Sequence, residues 1–382
     1  MKFGWNVKPV TALALLTATA LFAAACGNDG DDTATSRGSS SPESANVIAA
    51  QEAVTAGMQT EGLDWGLPTE SFNPGTYRVA IISAGQQTPA AAVISAAQTE
   101  AAKAIGWQDS PILDAALSTD KAAGFMRQAI AEGYDAIAWN SMDPESLKGP
   151  IDEALAKGIA LACTACMSEA YEDKVHIQSP DYVAQGTLMA EWLIASHNGS
   201  AKIVGLQDDG FAQAKTRMVT VASTLSEKCP DCQFTKVNFA AADLANPGPP
   251  SWSAVLAQYP KGEIDAVVAP YDAAAPAIYK TAQQQGRTEV QVNSADLANE
   301  FATLMGQDQK GIGSDVASPF TIMGWAAIDQ LARQLNNVPA WDSTGFPVAL
   351  VTYENVDQMN NGDLIPTDLD YRTEFKKLWG KP

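Results

Sequence analysis

Four cysteines in two Cys-x-x-Cys pairs are the residues of this chain whose type and spacing could most readily do chemistry. The pairs are Cys163–Cys166 and Cys229–Cys232. Such pairs fit a disulfide within each pair, a zinc site that gathers all four sulfurs, or a thioredoxin-like redox centre. A redox centre needs its pair at a helix start that follows a strand, which the pattern allows at Cys163 but not at Cys229.

Other groups suited to catalysis are scarce in the 382 residues. The two histidines are His176, within a strand pattern, and His197, at a helix end, so neither is placed as a general base. The sequence has no Gly-x-Ser-x-Gly elbow, no phosphate-binding Gly-x-x-x-x-Gly-Lys and no Gly-x-Gly-x-x-Gly. We therefore expect a protein that is not an enzyme and that carries no cofactor and no metal.

The charge balance narrows the class of partner. The chain has 24 Lys+Arg against 44 Asp+Glu, a formal net charge of -20. A nucleic-acid-binding protein needs clustered Lys and Arg to neutralise phosphates, so we expect no nucleic-acid partner. The 46% of hydrophobic residues excludes a disordered chain.

The N-terminus has the pattern of an export signal. Lys2 and Lys8 flank the start of an apolar stretch over 10–25, which is shorter than the roughly 20 residues of a comfortable membrane span. The stretch ends in Ala-Ala-Ala-Cys26, which resembles the lipobox of bacterial lipoproteins. We predict a signal peptide over 1–25, lipidation of Cys26 and anchoring at the outer face of the cytoplasmic membrane. The alternative is an ordinary signal with an incidental Cys.

Export also bears on the remaining cysteines. Because an even number of Cys in an oxidising compartment indicates disulfides first, we prefer one local disulfide in each pair, and the zinc and redox alternatives remain open. Residues 26–75 then provide a Gly/Ser/Asp-rich tether followed by a lead-in with helical spacing from residue 46.

From residue 77 onward, short apolar strands alternate with helices in about ten units. Strict strand–helix alternation predicts parallel sheets covered by helices on both faces. Ten units are too many for one compact sheet, so we predict an α/β fold with two doubly wound sheets of about five strands each. Ligands of such sheets bind beyond the carboxyl ends of the strands.

The order of these segments resembles the type I periplasmic binding proteins of ABC importers, the ribose-binding group in particular. The resemblance covers roughly 76–355. It rests on RVAIISAGQQTPAAA, EAAKAIGW, AIAEGYDAIAWNSMDPESLKGPIDEALAKGIAL, VHIQSPDYVAQGTLMAEWLI, and KIVGLQ with the helix that contains Thr216-Arg217.

That resemblance implies two lobes joined by three crossovers, with the ligand in the cleft between them. The first lobe would comprise 76–178 and 317–343, and the second 179–316 and 344–382. Ten residues in loops after the strands are the candidate ligand contacts: Ser83, Gln86, Gln87, Trp139, Thr164, Arg217, Tyr271, Asp272, Asp296 and Ser318. For Asp143 and Asp181 we expect helix-capping roles.

Each candidate also has a structural alternative. Trp139 could lie in the core, Arg217 could be solvated, and Asp272 or Asp296 could cap helices. The loop after the fourth strand lacks the Asp or Arg pair of sugar-binding relatives, which weakens a pentose or hexose assignment.

The function implied by the resemblance is capture of a small polar ligand, with a sugar or polyol preferred, and delivery to an ABC permease and its ATPase. Arg217 and the missing charged pair favour a small organic or aromatic acid as the alternative ligand. A sensory relative of the same fold, serving a receptor instead of a permease, is the other alternative.

Overall fold

The computed structural model describes residues 42–246, 248–359, 364 and 368–382. The predicted signal peptide, Cys26 and most of the tether lie outside the described residues. Two sheets carry the fold, and each forms one lobe with the helices that cover it. The predicted α/β class with two doubly wound lobes is confirmed.

The first sheet is parallel and has the order β2-β1-β4-β5-β6, with β3 also paired to β1. Its near-continuous burial explains why the strands read as apolar runs without alternation. Its strands are β1 (Arg78–Ser83), β2 (Gln108–Asp109), β3 (Leu113–Asp114), β4 (Ala136–Asn140), β5 (Ala160–Thr164) and β6 (His176–Gln178).

The second sheet has the order β12-β11-β10-β9-β7-β8 and repeats the winding of the first. The last strand is antiparallel to its neighbour, an edge that the alternation did not predict. Its strands are β7 (Lys202–Asp208), β8 (Gln233–Phe239), β9 (Ala266–Val268), β10 (Gln291–Asp296), β11 (Ile312–Ala317) and β12 (Ala349–Val351).

Helices cover both sheets. Those on the first lobe are α2 (Pro89–Ile105), α3 (Thr119–Ala131), α4 (Lys148–Ala156) and α10 (Phe320–Leu335). Those on the second are α5 (Tyr182–Ser196), α6 (Ala212–Lys228), α7 (Pro250–Gln258), α8 (Ala275–Gln284) and α9 (Asn299–Gln307). Within the described part of the chain, no helix combines the length and the apolar character that crossing a membrane requires.

Local sequence explains where several helices begin and end. Pro89 opens α2, and Gly106 ends it in the left-handed conformation with φ 86°. Asp181 caps α5 as predicted, since its carboxylate accepts from the Ala184 N–H at 2.8 Å. The cap of α3 is Ser118.

Both Cys-x-x-Cys pairs are disulfides in the structure, as predicted. Cys163 and Cys166 lie at the end of β5 in the first lobe, and both are buried. Cys229 and Cys232 lie between α6 and β8 in the second lobe. Because the pairs belong to different lobes, the structure does not bring the four sulfurs into one zinc site.

Two connections that run parallel to each other meet between the lobes and form the hinge. Ser179 donates to the Ser343 carbonyl at 3.3 Å and Asp181 to the Phe346 carbonyl at 3.0 Å, while Phe346 donates back to Ser179 at 3.0 Å. The connections 179–181 and 343–346 therefore support each other where the chain passes from one sheet to the other.

The lead-in and the C-terminal segment are built onto the lobes. Helix α1 (Pro42–Gly57) packs on α5 of the second lobe, with Ala50 fully buried. Helix α11 (Tyr371–Leu378) packs on α10 of the first lobe. The assignment of all of 344–382 to the second lobe therefore needs correction, because the chain returns to the first lobe after β12.

A buried carboxylate fixes this return. Asp329 of α10 accepts from Arg333 Nε at 2.7 Å and from the indole N–H groups of Trp341 and Trp379, each at 2.8 Å. Trp379 also stacks on Trp325 of α10, with ring centroids 5.5 Å apart. One carboxylate thus joins α10 to Trp341, which precedes the hinge connection 343–346, and to Trp379 near the C-terminus.

Replacing Asp329 should be strongly destabilising. Asp329→Ala leaves the buried Arg333 guanidinium without its counter-charge, so we expect a loss of about 3–5 kcal/mol in the free energy of unfolding. Urea unfolding followed by tryptophan fluorescence measures this free energy of unfolding. The exposed pair between Lys377 and Glu374 provides the control, since Lys377→Ala should cost less than about 1 kcal/mol. Equal losses in the two variants would contradict the role given to Asp329.

Candidate functional site

A cavity of about 440 Å³ lies between the two lobes at the carboxyl ends of the strands. In each sheet the winding direction reverses at one place, between β1 and β4 in the first and between β7 and β9 in the second. Loops that follow these strands diverge and leave a crevice. Each of these four loops contributes one residue to the cavity lining: Ala84, Ser141, Phe211 and Tyr271.

Arg217 of α6 is the central side chain of the second-lobe wall. It is 3% exposed, and its Nη1 lies 2.6 Å from Asp296 Oδ1 at the end of β10. Its guanidinium also donates to Gln185 Oε1 at 3.2 Å and to the Pro270 carbonyl at 2.9 Å. The guanidinium therefore already has protein acceptors for most of its N–H groups.

The close packing of α5 against α6 determines the position of Arg217. A Cβ on Gly186 of α5 would lie 2.6 Å from the Arg217 carbonyl oxygen and 2.6 Å from Thr220 Cβ. Only glycine allows α5 and α6 to approach this closely. The side chain of Arg217 consequently reaches the ends of β9 and β10 and contacts Asp296.

Two further carboxyl groups lie beside this pair. Asp272 is 3% exposed and Asp315 of β11 is fully buried, and the two carboxyl groups interact electrostatically. Two buried negative charges repel each other, so folding favours a state in which the pair holds one proton between them. Burial, with Asp296 nearby, raises the pKa of Asp272 to about 6, and burial beside Asp272 raises that of Asp315.

One oxygen of Asp272 is buried without a hydrogen-bond partner among the described residues. Its Oδ2 accepts from the Ala298 N–H, while its Oδ1 has no hydrogen-bond partner among the described residues. The hydroxyl of Tyr182 and Oε1 of Gln213 are likewise buried and without a partner in the described part of the chain. All three residues line the cavity, so three unsatisfied polar atoms belong to this wall.

Aromatic rings complete the second-lobe wall. Tyr271 donates its hydroxyl to Asp208 Oδ2 at 3.0 Å, and its ring meets Phe211 edge-on at a centroid distance of 6.0 Å. Burial and the adjacent Asp208 raise the pKa of Tyr271 above its ordinary value, so the phenol stays protonated. The wall therefore combines hydrogen-bonding groups with flat apolar surfaces.

The first-lobe wall has a different character. Its lining is mostly apolar, with hydroxyls only at Thr88 and Ser141 among the described lining residues. The apolar members include Ala84, Pro89, Ala90, Val93, Leu117 and Ala165.

Six of the ten predicted contacts, all within the bounds given for the first lobe, do not line the cavity. Gln86 Nε2 turns inward and donates to Ser83 at 2.7 Å and to Ser95 at 2.8 Å. Trp139 lies in the core, where its indole donates to the Met142 carbonyl. Thr164 is buried against Gln98.

The other two of these candidates, Gln87 and Ser318, also lie away from the lining. Gln87 is exposed beside Gly85. Ser318 is buried one layer behind the wall, where it accepts from Gln185 Nε2 at 2.8 Å and lies 3.4 Å from Asp296 Oδ1. These residues lie outside the cavity lining and support the site from behind or beside it.

Four predicted contacts do line the cavity: Arg217, Tyr271, Asp272 and Asp296. Residues that line the cavity and are not among the ten include Tyr182, Phe211, Gln213 and Leu117. Phe211 follows the end of β7, a signal that was available in the sequence, and Gln213 is the second residue of α6. Tyr182 opens the helix after the hinge, and only its neighbours in three dimensions bring it to the cavity.

Backbone strain concentrates at the cavity. Eight non-glycine residues have positive φ angles in the described part of the chain. Five of them line the cavity: Leu117, Ser141, Ala165, Asp296 and Leu297. Such conformations cost about 1–3 kcal/mol each and persist where the surroundings hold them, often at binding sites.

Asp143 joins the lobes across the cleft. Its Oδ1 accepts from the Met167 N–H at 2.8 Å within the first lobe, and its Oδ2 accepts from the Ala212 N–H at 3.1 Å, the first residue of α6 in the second lobe. The expected cap on its own helix is not made. Burial raises the pKa of Asp143 despite these two donors.

The chain matches the family described as the periplasmic binding protein domain over residues 79–338. No curated protein sequence matches it. Among solved structures it is similar to a sugar ABC transporter protein of Yersinia enterocolitica subsp. enterocolitica 8081, with a TM-score of 0.68 and 21% identity over 80% of this chain and 95% of that chain.

Two other similar structures hold ligands. One is an ABC transporter solute binding protein of Agrobacterium vitis with bound allitol, with a TM-score of 0.66 and 19% identity over 74% of this chain and 97% of that one. The other is a periplasmic solute binding protein of Actinobacillus succinogenes 130z with bound D-allose, with a TM-score of 0.62 and 18% identity over 74% and 100%. At these identities the likenesses establish the fold.

The shared proton predicts an unusual dependence of stability on pH. A carboxyl whose pKa is raised by folding binds its proton more tightly in the folded state, so stability falls as the pH rises from about 4 through the raised pKa. Asp315→Asn removes one of the two acids and should raise the thermal midpoint of the unliganded protein at pH 8 more than at pH 5. Calorimetric unfolding at both pH values measures this. A midpoint lowered at pH 8 would contradict the shared proton.

Removing Asp143 should weaken the contact between the lobes. Asp143→Ala deletes an acceptor for the Ala212 N–H, a hydrogen bond to a charged group worth about 1.5–3 kcal/mol, so a more open arrangement should gain about tenfold or more in population. Fluorescence energy transfer between dyes on α3 and α9 measures the lobe separation. Glu145→Ala is the control, because Glu145 accepts only within the first lobe. Equal effects of the two variants would argue against an interlobe role.

Proposed function

This chain belongs to the periplasmic binding protein domain family, and from that premise we propose that it captures a sugar or polyol between its two lobes and delivers it to an ABC permease. The family consists of binding proteins, so the prediction of a non-enzymatic role is confirmed. Membership of this family also implies that the protein functions outside the cytoplasm.

Three unpartnered polar atoms carry the assignment of the ligand class. These are Oδ1 of Asp272, Oε1 of Gln213 and the hydroxyl of Tyr182. They have no partner among the described residues, and all three belong to residues that line one cavity. Buried polar groups of native proteins nearly always have hydrogen-bond partners, so these atoms mark the positions of ligand groups. Two of the three are acceptors, which suits the O–H donors of a sugar or polyol.

The similar structures support the same class. Two of them hold allitol and D-allose, a polyol and a sugar. In this chain the flat rings of Phe211 and Tyr271 provide apolar surface of the kind that packs against sugar C–H groups.

An acid ligand is less favoured than the sequence suggests. Arg217, the residue that pointed to an acid, already has Asp296, Gln185 and the Pro270 carbonyl as acceptors. A neighbouring hollow of about 630 Å³ continues the cleft past Leu117 and Phe211, and Arg217 is the one basic residue among the described residues that line either space. Seven acids line them: Asp143, Glu145, Asp208, Asp209, Asp272, Asp296 and Glu300. This excess of negative charge repels a carboxylate.

Closure about the hinge would complete the site. The hinge connections 179–181 and 343–346 are short and mutually hydrogen-bonded, which suits rotation of one lobe against the other. We place the first lobe at 76–178 and 317–343 with α11, and the second at 179–316 and 344–359 with α1. Asp143 would hold the closed arrangement.

Anchoring by lipid at Cys26, after removal of residues 1–25, would keep the protein beside the permease and its ATPase. A tether between Cys26 and α1 would leave the lobes free to turn. Mass spectrometry of the N-terminal peptide from the producing bacterium decides between lipid and an unmodified Cys. Loss of ligand uptake when the adjacent permease is deleted distinguishes import from sensing.

Calorimetric titration of the purified protein against panels of neutral sugars, polyols and carboxylates tests the ligand class. Asp272→Asn should weaken binding of the preferred neutral ligand roughly 10- to 100-fold, because a hydrogen bond to a charged acceptor is replaced by a weaker one. Asp152→Asn on the outer face of α4 is the control and should leave the affinity unchanged. Preferential binding of a carboxylate by the wild-type protein would contradict the proposal.

A further inference from the structure

We propose that the ligand is amphiphilic, with its hydrogen-bonding end against the second lobe and an apolar substituent, such as a deoxy or alkylated carbon, against the first. This inference rests on the proposed function and narrows its ligand class. The contrast between the two walls of the cavity is its starting point.

The first lobe offers a ligand few polar side chains. Near the ends of its central strands, several polar side chains hydrogen-bond to groups of the same lobe. Gln86 Nε2 donates to Ser83 and Ser95, and Gln98 donates to Thr164. Asn140 accepts from the Ala84 N–H and donates to the Ala91 carbonyl. The Thr88 hydroxyl donates to the Gly85 carbonyl at 2.8 Å.

Small apolar side chains take the place of these polar groups at the cavity. Ala84, Pro89, Ala90 and Val93 line it from the loop after β1 and the start of α2. A sugar hydroxyl buried against this surface would lose its water partners without gaining a side-chain partner, which costs binding free energy. An apolar substituent there gains affinity instead, about fourfold for each buried CH₂ group.

Leu117 shows that an apolar surface is maintained here against a backbone cost. Its φ is 61°, a region that leucine rarely adopts and that asparagine or glycine tolerates better. Its side chain nevertheless lines both the cavity and the adjoining hollow. Strain held in place at a ligand-facing position indicates a role in contacting the ligand.

The second lobe supplies the opposite chemistry. Asp272 Oδ1 is an unpartnered acceptor on a residue that is 3% exposed, and Tyr182 presents an unpartnered hydroxyl. A ligand with hydroxyls at one end satisfies these atoms. The same ligand needs no hydroxyl at the end that meets Leu117 and Ala90.

Titration calorimetry with matched neutral sugars tests this inference on the purified full-length protein. The pairs are D-ribose with 5-deoxyribose and 5-O-methylribose, and D-galactose, D-glucose and D-allose each with the 6-deoxy and 6-O-methyl derivative. We expect a derivative to bind at least tenfold more tightly than its parent sugar. If parents bind as tightly as every derivative or more tightly, the inference is overturned while sugar capture stands. If no parent and no derivative binds at millimolar concentration, the inference is overturned, whereas capture of a sugar or polyol is decided separately by the wider panels described above.

A substitution in the first-lobe wall provides a second test of the inference. Leu117→Asn puts an amide on the apolar wall at a backbone position that suits asparagine, so folding should be retained, as thermal unfolding would verify. The preference for the derivative over its parent should fall at least threefold, whereas Leu117→Met should keep it. An unchanged preference in Leu117→Asn would overturn the assignment of the substituent to this wall.

Discussion

The buried ion pair between Arg217 and Asp296 is the interaction on which the ligand cavity depends. It joins α6 to the end of β10, and the same guanidinium holds Gln185 of α5 and the backbone at Pro270. Losing one partner of such a pair would leave an uncompensated buried charge. Because four elements meet at one guanidinium, the second-lobe wall is a preformed surface rather than a set of loops that a ligand must order.

The pair also sets the charge of the site. Arg217 neutralises Asp296, which leaves Asp272 and Asp315 to share a proton because no second cation lies among the described residues of the cavity. The wall is consequently rich in acceptors and carries negative charge. Donors such as hydroxyl groups suit it, and carboxylates do not.

Architecture explains why the two walls can differ so strongly. Both sheets wind in the same order, so both present the loops at their reversal points to one cleft. The second lobe places charged side chains at the cleft, whereas in the first lobe polar groups near the strand ends bind one another, as Gln86 binds Ser83 and Gln98 binds Thr164. Asp143 reaches across from the first lobe to α6 and ties the two halves together.

The sequence by itself determined the two-lobed α/β fold, both disulfides and four of the cavity-lining residues, because strand–helix alternation and strand ends are local features. It could not determine side-chain direction. Whether Gln86 or Trp139 faces the cleft depends on packing partners such as Ser95 and the Met142 carbonyl, which lie elsewhere in the chain. The tertiary structure alone decided that Arg217 is already paired, that α11 returns to the first lobe and that one wall is apolar, since each follows from contacts between distant segments.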